Sequence, residues 1–121
     1  MNFRLPKSEK LKSKKTIELL FDRGRSFSKF PVKVFYIPLE GIKKTQVTFA
    51  VPKRNFKKAV FRNRIKRQLR ETYRLQKQII TTNNSTKFAL LFLYIGKDMP
   101  KYEILEVSIF ELLKKLQDET A

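Results

Sequence analysis

The chain has 121 residues, 41% of them hydrophobic, and a formal net charge of +17. That length suits one compact domain, and eleven Phe with four Tyr supply a core, so a disordered basic tail is excluded. With no Cys and no His, disulfides, thiolate zinc sites, a Cys nucleophile and the commonest general base are all ruled out. The three Asp, at 22, 98 and 118, lie far apart, and the eight Glu form no tight pair or metal-type cluster. Bond chemistry by the polypeptide alone is therefore disfavoured.

No apolar run approaches the length of a bilayer span, and the N-terminus lacks a secretory pattern, so a cytoplasmic home is expected. Residues 1–12, polar and basic with Pro6, read as a basic arm, and 13–121 as a single domain. Ile17, Leu20 and Phe21 share one helical face, with Ser13 as N-cap and Gly24 as stop. "FPVKVFYIPLE" predicts a strand, "GIKKTQ" a turn and "VTFAV" a second strand, paired with the first as a hairpin. The pattern leaves room for a further short strand near Phe27. A long helix follows over about 57–80, and "TNNST" breaks it. "FALLFLYI", 88–95, reads as a central strand buried on both faces, and a last helix starts at Lys101. The order predicts an α+β sandwich with a small sheet.

Charge is concentrated. Residues 52–78 hold eleven Lys and Arg against Glu71 alone, whereas 95–121 hold four cations and six acids. At about 100° per residue, Phe61, Ile65, Leu69 and Tyr73 share an apolar arc of the long helix. Asn63, Lys66, Arg67, Arg70, Arg74 and Lys77 follow beside it, and Arg62, Lys66 and Arg70 form a row at spacing four. Like charges at that spacing repel, so an anionic partner is the natural reason for them. Nucleic acid fits best, because phosphate neutralisation drives binding by counterion release. An anionic membrane is the weaker reading, since the apolar face is needed to cover the sheet. Within "RNR", 62–64, Arg offers a planar fork for phosphate, and Asn63 can meet a base edge or a ribose hydroxyl.

"RNRIKRQLRETYR", 62–74, preceded by "FAVPKR", 49–54, resembles the protein subunit of bacterial ribonuclease P. "LKSKKTIELLFDRGRSFS", 11–28, and "KYEILEVSIFELLKKL", 101–116, resemble its first and last helices, so the similarity spans nearly the whole chain in order. The resemblance implies a two-layer α/β sandwich, a small mixed sheet and an uncommon left-handed βαβ crossover. It implies an endoribonuclease holoenzyme in which a catalytic RNA removes the 5′ leader of precursor tRNA with Mg²⁺. In it the protein holds no catalytic residue and no metal of its own. The partners implied are that RNA and precursor tRNA, with no membrane and no obligate protein partner.

Carried over by position, Lys53, Arg54, Arg62, Asn63, Arg64 and Arg67 would meet the catalytic RNA. Ile17, Phe21, Tyr36, Lys66 and Arg70 would border the leader, in a cleft between the first helix and the sheet. Two departures stand out. Ile17 occupies a place where the family often has a second aromatic. The stretch "RNFKKAVF", 54–61, is one residue longer than the common pattern and lacks its Gly-Asn, so the start of the long helix must be built differently. Two other readings stand beside this one: a structural RNA binder such as a ribosomal protein, and an autonomous nuclease.

Overall fold

The structure is a computed structural model that describes residues 5–41, 43–81 and 86–120. Helix α1 spans Lys14–Arg23, strand β1 Arg25–Lys29, β2 Val32–Leu39 and β3 Gln46–Ala50. Helices α2, Ala59–Gln76, and α3, Gln78–Thr81, precede β4, Lys87–Tyr94, and α4, Tyr102–Thr120. The break expected at "TNNST" falls almost wholly outside the described residues.

One mixed sheet has the order β1-β2-β4-β3. Strands β1 and β4 run antiparallel to β2, while β3 and β4 are parallel, joined through α2 and α3. The short strand near Phe27 is therefore present as β1. The expected hairpin of β2 with β3 is not formed, because β4 lies between them. The reason is in β4 itself: its apolar run needs both faces covered and both edges paired, and only a central position supplies that. The hairpin partner of β2 is β1.

The two faces of the sheet are covered unequally. Val34, Tyr36, Val47, Leu90 and Phe92 face Ile65, Leu69 and Tyr73 of α2 and the buried stripe of α4. Each such Leu or Phe removed from water contributes about 1.5–3 kcal/mol. On the opposite face, Ala89 and Leu91 are buried with Leu11 and with Leu20 of α1. The main sandwich is thus the sheet on α2 and α4, with α1 covering part of the far side.

Helix α1 begins where the Ser13 Oγ accepts a hydrogen bond from the Thr16 N–H at 3.3 Å. It ends at Gly24, whose backbone is extended, so the glycine is not required for a left-handed turn. Instead a Cβ there would collide with the Leu20 carbonyl, to which the Gly24 N–H donates. Residues 5–11, expected to belong to a loose arm, are docked. Leu5, Glu9 and Leu11 are buried, and Lys10 bridges Val47 at the edge of β3. The Leu11 N–H donates to the Val47 carbonyl at 2.9 Å, which protects that edge.

Candidate nucleic-acid interface

After β3, a turn in which the Asn55 N–H donates to the Pro52 carbonyl carries Lys53 and Arg54 outward. Phe56 then plugs into the core against Tyr94, ring centroids 6.0 Å apart. Helix α2 starts from Lys58, whose side chain makes no capping bond. Arg62 supplies the missing order from inside the helix. Its Nη1 donates to the carbonyls of Phe56 at 2.7 Å and Lys57 at 2.8 Å. This is how the longer loop without Gly-Asn is held, by an aromatic anchor and a guanidinium clasp. One guanidinium nitrogen of the half-buried Arg62 is thereby engaged by the protein's own backbone, a task that the cationic pattern of the helix did not indicate.

Asn63, Arg64 and Arg67 are exposed, and with Val60 and Phe61 they line a concavity of about 540 Å³. No acidic residue lies between Pro52 and Arg70. The positive end of the helix dipole adds to this field, so the site favours anions. Phe61, placed by periodicity on the apolar arc, is 41% exposed here.

Lys66 and Arg70 point into a second groove of about 230 Å³, completed by Lys10, Lys12, Thr48 and Phe49. Docking of the N-terminal segment builds this groove, and it places two lysines that local periodicity could not assign. Lys77 leaves the cationic row for a different task. Its Nζ donates to the Oε1 of Glu9 at 2.7 Å, and the Glu9 side chain is only 7% exposed.

On the α1 side of the sheet, Phe21 is 54% exposed and its ring sits 5.2 Å from that of Phe35 at 56°. The Lys33 Nζ lies over the Phe35 ring, 5.0 Å from its centre. Ile17 packs half-buried beside this pair against the sheet. Tyr36 does not belong to the cleft. It is 4% exposed on the α4 side, stacked on Phe27, and burial pushes its phenol up. The residue of β2 on the α1 side of the sheet, against Phe21, is Phe35. A usable signal was present: Phe35 alternates in phase with Lys33, and Tyr36 with Val32 and Val34.

Phe35, Leu91 and Thr48 are direct cross-strand neighbours, so one row joins the aromatic pair to the second groove. The strand spacing puts about 10 Å between its ends. Leu91, in the middle, is covered in the cluster with Leu11 and Leu20. The acidic C-terminal helix pairs elsewhere: Glu119 with Arg25 at 2.9 Å and Glu111 with Lys29 at 3.2 Å, both on β1. Such exposed pairs contribute about 0–1 kcal/mol each. Among the described residues no three carboxylates gather. No helix among them is long and apolar enough to cross a membrane.

The fold and the two basic grooves define a single-sheet α+β protein built to bind nucleic acid. The profile of the Ribonuclease P family matches residues 5–117. The ribonuclease P protein component of Chlorobium phaeobacteroides is 34% identical, with 93% of this chain and 88% of its own length aligned. That of Porphyromonas gingivalis is 29% identical over 86% and 80%. The solved ribonuclease P protein of Staphylococcus aureus superposes with a TM-score of 0.75 at 19% identity, covering 89% of this chain and 94% of its own. The chain belongs to the ribonuclease P protein family, the RNA-binding subunits of a tRNA-processing endoribonuclease whose holoenzyme contains an RNA.

Proposed function

We propose that this chain grips the catalytic RNA through the start of α2 and guides the 5′ leader of precursor tRNA across the α1 side of the sheet. Lys53, Arg54, Asn63, Arg64 and Arg67 contact the catalytic RNA. Arg62 holds the loop that presents them. Phe21 and Phe35 stack on unpaired leader bases, with Ile17 as apolar support and Lys33 beside them. Lys66 and Arg70, with Lys10 and Lys12, neutralise phosphates further along. The observation that carries this reading is the exposed ring of Phe21 against Phe35, two strands away from a groove that four cations line. Aromatic faces beside cations are what an extended single strand requires, because stacking tolerates any base.

Cleavage belongs to the RNA, and so does its Mg²⁺. The reaction runs where precursor tRNA is transcribed, which in a bacterium is the cytoplasm.

Reconstitution with the cognate RNA tests the proposal. The complex should cleave precursor tRNA at a Mg²⁺ concentration at which the RNA alone is slow, and bind it more tightly than mature tRNA. Equal affinity for the two at matched salt would favour a general structural RNA binder. Cleavage by the RNA-free protein would favour an autonomous nuclease.

A further inference from the structure

The first turn of α2 carries two apolar side chains that the core does not use. Val60 is 66% exposed and Phe61 41% exposed. They line the same concavity as Asn63, Arg64 and Arg67. A membrane or an apolar protein surface would have to desolvate those two guanidinium groups, which is costly without a carboxylate partner. A nucleotide has the matching halves: a flat apolar base and a charged phosphate.

We infer that Phe61 is a stacking platform for one unpaired base of the catalytic RNA, held while Arg64 and Arg67 engage the flanking phosphates. The inference rests on the proposed contact of α2 with that RNA and adds what phosphate contacts cannot supply, a preference for an unstacked nucleotide at this point. Phosphate contacts fix register, whereas a single-stranded base splayed onto an aromatic ring selects a bulge or loop. Asn63, which lines the same concavity, has the donor and acceptor to meet the edge of that base.

The chain contains no Trp, so Phe61→Trp places a unique fluorophore at the site. Binding of the purified chain to its ribonuclease P RNA is measured across a salt series for wild type, Phe61→Ala, Phe61→Leu, Phe61→Trp, Arg64→Ala and Arg67→Ala, with melting temperatures for each. Phe61→Ala and Phe61→Leu should bind about 5- to 100-fold more weakly, with unchanged melting and an unchanged salt slope, because no charge is lost. Phe61→Trp should bind like wild type and be quenched by the RNA. The arginine variants should instead flatten the log–log salt slope by about 0.7–0.9 each. Wild-type affinity in both Phe61→Ala and Phe61→Leu, or an unquenched Trp in the bound complex, overturns the stacking inference even where the arginine effects persist. If the arginine variants also bind as wild type does, the contact of α2 with the RNA falls too.

Discussion

The Arg62 guanidinium holds the Phe56 carbonyl at 2.7 Å, across the loop that leads into α2. A charged donor on a partly buried carbonyl is worth about 1.5–3 kcal/mol, and here it ties the loop to the first turn of α2. Arg62→Ala should therefore lower stability by about 2 kcal/mol in urea unfolding. Arg64→Ala, on an exposed side chain, should change stability by less than about 0.5 kcal/mol. Equal unfolding midpoints for the two variants would show that the clasp contributes nothing.

The proposed leader path on the α1 side of the sheet separates two residues that lie on opposite faces, Phe21 and Tyr36. Phe21→Ala should weaken binding of leader-bearing tRNA to the reconstituted complex by about 1–3 kcal/mol, with no change for mature tRNA. Tyr36→Phe should leave both affinities unchanged, because the ring stays in the core on the far face. A loss of leader discrimination in Tyr36→Phe would reverse the assignment of the two strand faces.

Glu9 and Lys77 tie the N-terminal segment to the end of α2. Lys77→Met removes the partner of an almost fully buried carboxylate. Because the Lys77 side chain is itself partly exposed, the cost is discounted to about 1–3 kcal/mol. Replacing both with Gln and Met should recover part of that loss, read as a coupling in a double-mutant cycle. Protease cleavage near Lys7 and Lys10 should accelerate in the single variant, since the segment that builds the second groove is then held less firmly.

Tyr73 offers a test by alkali. Burial, assisted by the nearby Glu9 carboxylate, raises its phenol above the ordinary value of 10.0. The folded state then keeps a proton that the unfolded state loses, so this contribution is complete below about pH 10 and declines as pH rises beyond it. The slope from this one group is about 1.4 kcal/mol per pH unit. The Tyr73 hydroxyl has no hydrogen-bond partner among the described residues, so Tyr73→Phe should be close to neutral at pH 7. Above pH 10 the variant should outlast wild type in thermal melts. Parallel melting curves for the two would discount burial as the cause.

Much of the candidate interface was legible because it obeys local rules. The run of cations from Lys53 to Lys77 with one acid, the apolar arc of α2, the central character of β4 and the Ser13 cap all follow from short spacings. Arg64 and Arg67 are read correctly as outward-facing from their helical phase alone. What local spacing could not supply was anything decided by an alternative partner inside the protein. Arg62 and Lys77 belong to the same cationic pattern as their neighbours, yet each is turned inward by a group distant in sequence or hidden in a loop.

By itself, then, the order of residues determined the charge that demands a polyanion and the succession of elements, since composition and periodicity act within a few turns of chain. Only tertiary structure decided that β4 would insert between β2 and β3, that residues 5–11 would wall the second groove, and that Phe35 rather than Tyr36 would face the cleft. Those outcomes depend on which long-range pairing buries the most apolar surface while leaving the fewest backbone groups unpaired, a comparison between whole folds that no short window of sequence contains.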